Sequence, residues 1–206
     1  PLVKTDEQRE RLTNLLQQDV RRLDRLITDI SNASRLDAEL SRDRPRPIEL
    51  GELLRDIINV YEGSLRSDDI PVELVSAPSE TVSVMGRDTP LGQVFRNLID
   101  NARSFSPQGS KVRVYLDKDG PDFWQIRIED DGPGIPPDNL ETVFERFYTS
   151  RPKGTAFGNN SGLGLSIVRQ IVKAHEGTVI AMNRTGEDGT VAGAAFIVRL
   201  PNAKRL

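Results

Sequence analysis

The sequence predicts an α+β fold, a two-layer α/β sandwich preceded by one long coiled-coil-like helix. Three observations predict it. Leu12, Leu16, Leu23, Leu26, Ile30, Ala33 and Leu40 keep a heptad seam through residues 6–40, and no proline or glycine interrupts them. Beyond residue 47 the apolar spacing switches repeatedly between a helical period and a two-residue period. Hydrophobic residues make up 36% of the chain and charged residues 29%. That is polar for one globule and fits a solvated helix outside the core.

Taken in order, the N-terminal stripe is widened by Leu15, Val20 and Ile27, while Asp19 and Asp37 fall on the seam. This resembles a bundle with polar layers more than a pure zipper. A helix this polar does not bury its stripe alone, so it needs a partner helix from another chain or from a preceding segment. Pro1 in place of methionine is read as the start of an excerpt. Ser41-Arg-Asp-Arg-Pro-Arg-Pro47 ends the helix, because two prolines cannot continue it. The domain boundary is placed there, with the helix in residues 1–43 and the sandwich in residues 44–206.

Residues 52–65 read as a helix with Leu53, Leu54, Ile57, Ile58 and Tyr61 on one side. Short strands follow at 72–75 and 82–85. Asp88 is the expected N-cap of a helix over 88–105, with Pro90 in its first turn. Strands at 111–116 and 124–129 flank a turn at Asp119-Gly120-Pro121. Residues 131–161 are glycine-rich and polar, with one helical piece near 140–147. A helix over 161–175 is closed by Gly177 as C-cap, and strands at 178–183 and 195–200 complete a mixed sheet with helices on one face.

A net charge of −3 disfavours nucleic acid as a partner. With no cysteine there are no disulfides or thiolate metal sites. No apolar run is long enough to span a bilayer, so no membrane contact is expected of this segment.

Three motifs carry the chemistry. In Asn97-Leu-Ile-Asp-Asn101 both asparagines share one helix face, and their amide oxygens suit Mg²⁺. Alone, the pair reads more readily as helix capping or solvation. In Asp130-Asp-Gly132-Pro-Gly134 a carboxylate ends a strand, where it can accept from the exocyclic amine that sets adenine apart from guanine. Gly132 and Gly134 permit close backbone approach and positive φ. Alone, this is also an ordinary turn. Gly162-Leu163-Gly164-Leu165-Ser166 opens a helix, whose free N–H groups favour phosphate. Each falls at an element end suited to its role, and in this order they describe a nucleotide site. Phe144, Phe147 and Tyr148 in the intervening stretch serve either to pin a lid or to anchor a loop, with Gly154, Gly158 and Gly162 as hinges.

On these residues the chain resembles the catalytic core of a bacterial sensor histidine kinase, of the ATP-binding superfamily that includes gyrase, Hsp90 and MutL and has the Bergerat-type fold. Asn97 to Asn101 resembles the N box, Asp130 to Gly134 the G1 box, Phe144 to Tyr148 the F box, Gly162 to Gly164 the G2 box, and Gly193-Ala-Ala-Phe196 a weaker G3-like strand. Arg22-Leu-Asp-Arg-Leu-Ile-Thr-Asp-Ile30 with Ala33-Ser-Arg-Leu36 resembles the second helix of the dimerisation and phosphotransfer domain, and the details are similar to ChvG-type kinases of α-proteobacteria. The resemblance implies Mg²⁺ on Asn101 with Asn97 assisting, and the adenine amino group on Asp130. It places the triphosphate of ATP at residues 162–165 and a lid at 136–161. It also implies γ-phosphoryl transfer to a histidine on a first helix absent here. A response regulator receiver domain is the implied partner, with a homodimer through the N-terminal helix. The segment is expected on the cytoplasmic side of a membrane-anchored protein.

Two departures stand out. The one histidine, His175, lies at a helix end and reads as structural. Ser104 occupies a position where the family often carries a phosphate-touching base, and the neighbouring Arg103 is expected to point elsewhere. Arg146 or Arg151 in the lid is then the candidate phosphate contact. Relatives that hydrolyse ATP carry Glu where Asn97 stands, and Asn has no basic form to activate water, so slow hydrolysis is expected. The alternatives are a hydrolytic ATPase of the same superfamily and a non-catalytic dimerisation module.

Overall fold

A computed structural model of the chain describes residues 12, 13, 20, 44–65, 69–148 and 162–203. Outside them lie the rest of the helix read over 6–40, Gly154, Gly158, Ser161 and Arg151.

Strand β1 (Arg46–Glu49) leads into helix α1 (Leu50–Gly63). The proline segment read as the end of the first helix and the domain boundary therefore runs into a strand. Pro47 is tolerated because β1 pairs with a single strand, β3 (Ser83–Gly86), in a separate two-stranded sheet. Glu49 caps α1 by accepting from the N–H groups of Gly51 and Glu52, and it also takes the N–H of Val82. Strand β2 (Val72–Ser76) precedes β3, and helix α2 (Asp88–Phe105) follows it.

The N-cap of α2 is Arg87, not Asp88 as the sequence suggested. Asp88 sits one residue inside, where a carboxylate still suits the positive helix end, and it pairs with Arg46 at 2.6 Å. Pro90 occupies the first turn as expected.

The hairpin of β4 (Val112–Asp119) and β5 (Phe123–Glu129) turns at Gly120 with φ 70°. The helical piece expected near 140–147 is instead two 3₁₀ turns, Pro137–Asn139 and Thr142–Phe144. Helix α3 (Gly164–Ala174) starts three residues later than read. Strands β6 (Thr178–Thr185) and β7 (Val191–Pro201) finish the chain.

The five-stranded sheet has the order β2-β4-β5-β7-β6, parallel between β2 and β4 and antiparallel elsewhere. Its alternation builds the two layers. Val112, Val114 and Leu116, with Trp124, Ile126 and Ile128 and with Phe196, Val198 and Leu200, are buried in one core with Leu54, Ile58, Phe95, Leu98, Val168 and Ile171 of the helices. The intervening residues Arg113, Tyr115, Arg127, Glu129 and Arg199 line the opposite face, bare of helices among the described residues, in ion pairs and cation–π contacts.

Helix α3 ends in a Schellman motif, with Gly177 N–H donating to Val172 O and Glu176 N–H to Lys173 O. The left-handed residue is Glu176, φ 56°, so Gly177 is not the positive-φ position. Its need is steric, since a Cβ there would lie 2.4 Å from the carbonyl of Arg199.

Candidate functional site

Asp130 is the buried carboxylate at the C-terminal end of β5. Its N–H donates to Ala194 O, continuing the ladder with β7 by one residue. Its Oδ1 accepts from the N–H of Gly132 at 2.8 Å and of Ala194 at 3.1 Å. Both bonds fall on one oxygen, and no donor among the described residues takes Oδ2. Burial pushes this carboxyl above its ordinary range. The Gly132 and Ala194 hydrogen bonds and the charge of Arg184 pull it back without cancelling the rise.

Gly132 has little room for a side chain: a Cβ would lie 2.8 Å from the carbonyl of Phe105. Gly134 has φ 77°, and a Cβ there would strike Val191 and Asn183. The close approach that glycine permits at 134 is thus to protein. Asn183 fixes the segment beyond it, exchanging two 2.7 Å bonds with the N–H and C=O of Ile135.

The face of α2 decides how the motifs relate. Asn97 donates from Nδ2 to Gly164 O at 3.2 Å. Two helical repeats later, Phe105 abuts Gly132 beside Asp130. Asn97, Asn101 and Phe105 recur every four residues, so they share one face. That face runs for roughly 12 Å from the start of α3 to the turn after β5. Asn101 stands midway, half-buried, and its side-chain amide is bonded to no described residue.

At the start of α3, Leu163 occupies the N-cap position without a side-chain cap bond, and Ser166 Oγ turns back to Leu163 O. No side chain of a described residue caps the first turn of α3. Gly162, φ 75°, accepts from Phe147 N–H and leaves no space for a Cβ against Phe147 and Tyr148. Leu163 is buried and Leu165 packs on the core.

The aromatic cluster divides. Phe144 is in the core, edge-on to Phe196 at 6.1 Å with Arg169 over its ring. Tyr148 is half-buried against the core. Phe147 is 60% exposed and held at φ 65°. Anchoring thus falls to Phe144 and Tyr148, while Phe147 faces outward. Arg103 does point elsewhere: its Nε donates to Ile70 O, and its guanidinium pairs with Asp69 and lies over Tyr61.

His175 is buried, with Nδ1 2.8 Å from Ile171 O and Nε2 accepting from Arg87 N–H at 3.1 Å. Those partners define a neutral ring with its proton on Nδ1. Burial pushes the imidazole below its ordinary value. The ring is therefore no helix-end cation; it ties the end of α3 to the N-cap of α2.

Sequence reading missed Asn183 and Arg184. Both look like ordinary residues of an edge strand, and their partners lie about fifty positions away. A groove of about 470 Å³ between α1 and β2, lined by Arg55, Asn59, Glu73 and Lys111 among others, contains none of the motif residues.

Residues 86–204 match the family described as histidine kinase-, DNA gyrase B- and HSP90-like ATPase. The chain belongs to this family. It is 45% identical to sensor protein ChvG of Rhizobium meliloti, over 98% of the chain and 36% of that protein. It therefore spans little more than a third of that relative's length. Among solved structures, the mycobacterial sensor histidine kinase MprB is 33% identical with a TM-score of 0.64, covering 77% of this chain and 97% of that one. The ShkA full-length structure in complex with AMPPNP is 25% identical with a TM-score of 0.71, over 98% of this chain and 40% of that one. The Bergerat-type sandwich and the sensor-kinase resemblance read from the sequence both stand. No helix among the described residues is long and apolar enough to cross a membrane.

Proposed function

We propose that residues 44–206 are the ATP-binding catalytic portion of a sensor histidine kinase. Residues 1–43 would be the second helix of its dimerisation and phosphotransfer domain. The observation that carries this reading is the single face of α2. It links the start of α3, at Asn97, to the turn after β5, at Phe105, with the Asn101 amide, bonded to no described residue, between them. A purine triphosphate laid along it would put its base at Asp130 and its phosphates at residues 162–165, with Asn101 between them.

In this arrangement Oδ2 of Asp130 accepts from the six-amino group. Gly132 and Gly134 hold the turn that aims it. The N–H groups following Leu163 receive phosphate oxygens. Phe147 and Tyr148 flank the phosphate end, and Arg151, outside the described residues, would contact phosphate from the lid. Two half-buried amide oxygens suit a hard cation that retains water, so Asn101, with Asn97 beside it, would hold Mg²⁺. Bound there, the ion would neutralise phosphate charge. The chain's own residues orient the nucleotide and restrict water at its base end. The acceptor is a histidine nitrogen on a first helix outside these 206 residues, and a response regulator receiver domain takes the phosphoryl group onward. Homodimerisation through the N-terminal helix and a cytoplasmic position next to a membrane anchor complete the proposal.

A hydrolytic ATPase is the rival. Asn97 weighs against it, because its amide lacks a basic form and its nitrogen is already engaged by Gly164 O. Calorimetric titration with ADP, with and without Mg²⁺, and with GDP as control, tests the proposal. Binding of ADP that strengthens with Mg²⁺ and exceeds that of GDP is expected. Equal binding of the two purines, or none, overturns it.

A further inference from the structure

We propose that Arg184 is a positioning residue for nucleotide recognition, aiming the Asp130 carboxylate from the opposite face of the sheet. The proposal rests on the reading of Asp130 as the adenine contact.

In an extended segment, alternate side chains take opposite faces. Asp130 points into the helix side, so Glu129 and Asp131 emerge together on the bare face. Arg184 reaches that spot from the edge strand β6, across β7. Its Nε lies 3.1 Å from Glu129 Oε2. One terminal nitrogen donates to Asp130 O at 2.8 Å, to Asp131 Oδ1 at 2.8 Å and, more weakly, to Ala192 O at 3.3 Å. One guanidinium thus holds the carbonyl of residue 130 and the side chains on both sides of it.

The passage exists because position 193 is glycine. Arg184 is paired with Gly193 across the β6–β7 ladder. A Cβ at 193, where φ is 140°, would lie 2.0 Å from Asp130 O and 3.2 Å from the Arg184 terminal nitrogen. Arg113 backs the arrangement with two bonds to Asp131, 2.8 and 3.1 Å. Desolvation works against ionisation of Asp131, but the bonds from Arg113 and Arg184 outweigh it and hold the carboxyl below its ordinary range.

The consequence is directional. Oδ1 of Asp130 is fixed by two backbone N–H groups, Gly132 and Ala194. Where Oδ2 points therefore follows the backbone of residues 130–132. Arg184 sets that backbone through a carbonyl and a flanking carboxylate, without touching nucleotide. A planar fork with several fixed donors does this, and a lysine cannot reproduce it.

The test compares ADP with the diphosphate of purine riboside, which differs by lacking the six-amino group. Calorimetry on the full 206-residue chain gives both affinities for wild type, Arg184→Met, Arg184→Lys and Asp130→Asn. Arg184→Met is expected to weaken ADP about tenfold, the value of one charge-assisted hydrogen bond misaimed, and to leave the riboside within about twofold. Arg184→Lys should lower the preference for ADP by roughly threefold. A general structural role would weaken both ligands alike, and that result, or an unchanged preference, overturns the proposal. Should Arg184→Met not fold, Arg184→Lys decides by the same ratio. Asp130→Asn separates the two levels. If it keeps the wild-type preference for ADP, the adenine reading of Asp130 itself fails. If it loses the preference while the Arg184 variants keep it, only the present proposal fails.

Discussion

At position 130 two demands on one carboxylate conflict. Folding favours the neutral form, since burial raises the acid above its ordinary range. Recognition of an amine needs the ionised form. A folded-state value above the unfolded one means that the stability contributed is fully present below the unfolded value. It is lost as the pH rises through the folded one. Asparagine keeps the Oδ1 acceptor for Gly132 and Ala194 while removing the buried charge. Asp130→Asn should therefore melt higher than wild type at neutral pH without nucleotide, by about 2–4 °C for each kcal/mol recovered. The same change should weaken ADP by roughly 1–3 kcal/mol. Thermal melts with and without ADP read both signs at once, and a variant that gains neither stability nor a binding defect removes Asp130 from this role. Nucleotide affinity of the wild type should also fall as the pH drops through the raised folded value. Asp130, Asn97 and Asn101 were legible as candidates in the sequence because each places a distinctive donor or acceptor at a strand end or along one helix face. Arg184 was not. Its role arises from a crossing beneath Gly193, and neither residue announces the other at nine positions' separation on adjoining strands.

Elements are joined by one side chain outside the proposed site and one within it. His175 connects the end of α3 to Arg87 at the start of α2, while Asn97 connects the start of α3 to the middle of α2. The ring bonds require the neutral imidazole. Its folded value is depressed below about 6.5. The stability it contributes is present above the unfolded value and lost as the pH falls through the folded one. Denaturant midpoints between pH 7.5 and pH 5 should thus fall in wild type more than in His175→Gln, which has nothing to titrate there; parallel curves would refute the link. Gly177→Ala should destabilise by about 1–3 kcal/mol, because its Cβ meets the Arg199 carbonyl rather than because of φ. Most elements were legible from periodicity, including α2 to within one residue. The failures share a cause. Strand β1 was hidden by its proline, which an edge position tolerates, while the Asp88 N-cap was misplaced by one residue and the Gly177 C-cap by two. Such shifts depend on tertiary contacts, Arg46 for Asp88 and the β7 backbone for Gly177, and local propensity carries no trace of them.

For the molecule as a whole, the distribution of acceptors limits what these 206 residues do alone. A phosphoryl group needs a nucleophile that reaches the γ-phosphate. The chain has one histidine. It is buried, one ring nitrogen bonded to Ile171 O and the other to Arg87 N–H, at the far end of α3 from Gly164. Exposing it would require unravelling the Schellman turn and the N-cap of α2 together. Water is the other available acceptor, and Asn97 does not activate it. Mg-ATP should therefore persist on the protein with slow phosphate release and no acid-labile label on the chain. Incubation with γ-labelled ATP, followed by partition of the label among nucleotide, free phosphate and protein, reads all three fates together. Adding a helix that bears an exposed histidine from a full-length relative should move label onto that helix in trans. Rapid steady-state phosphate release would instead favour the hydrolytic reading. Label on His175 would mean that the α2–α3 tie opens during turnover, and that the ring is an acceptor rather than a pin.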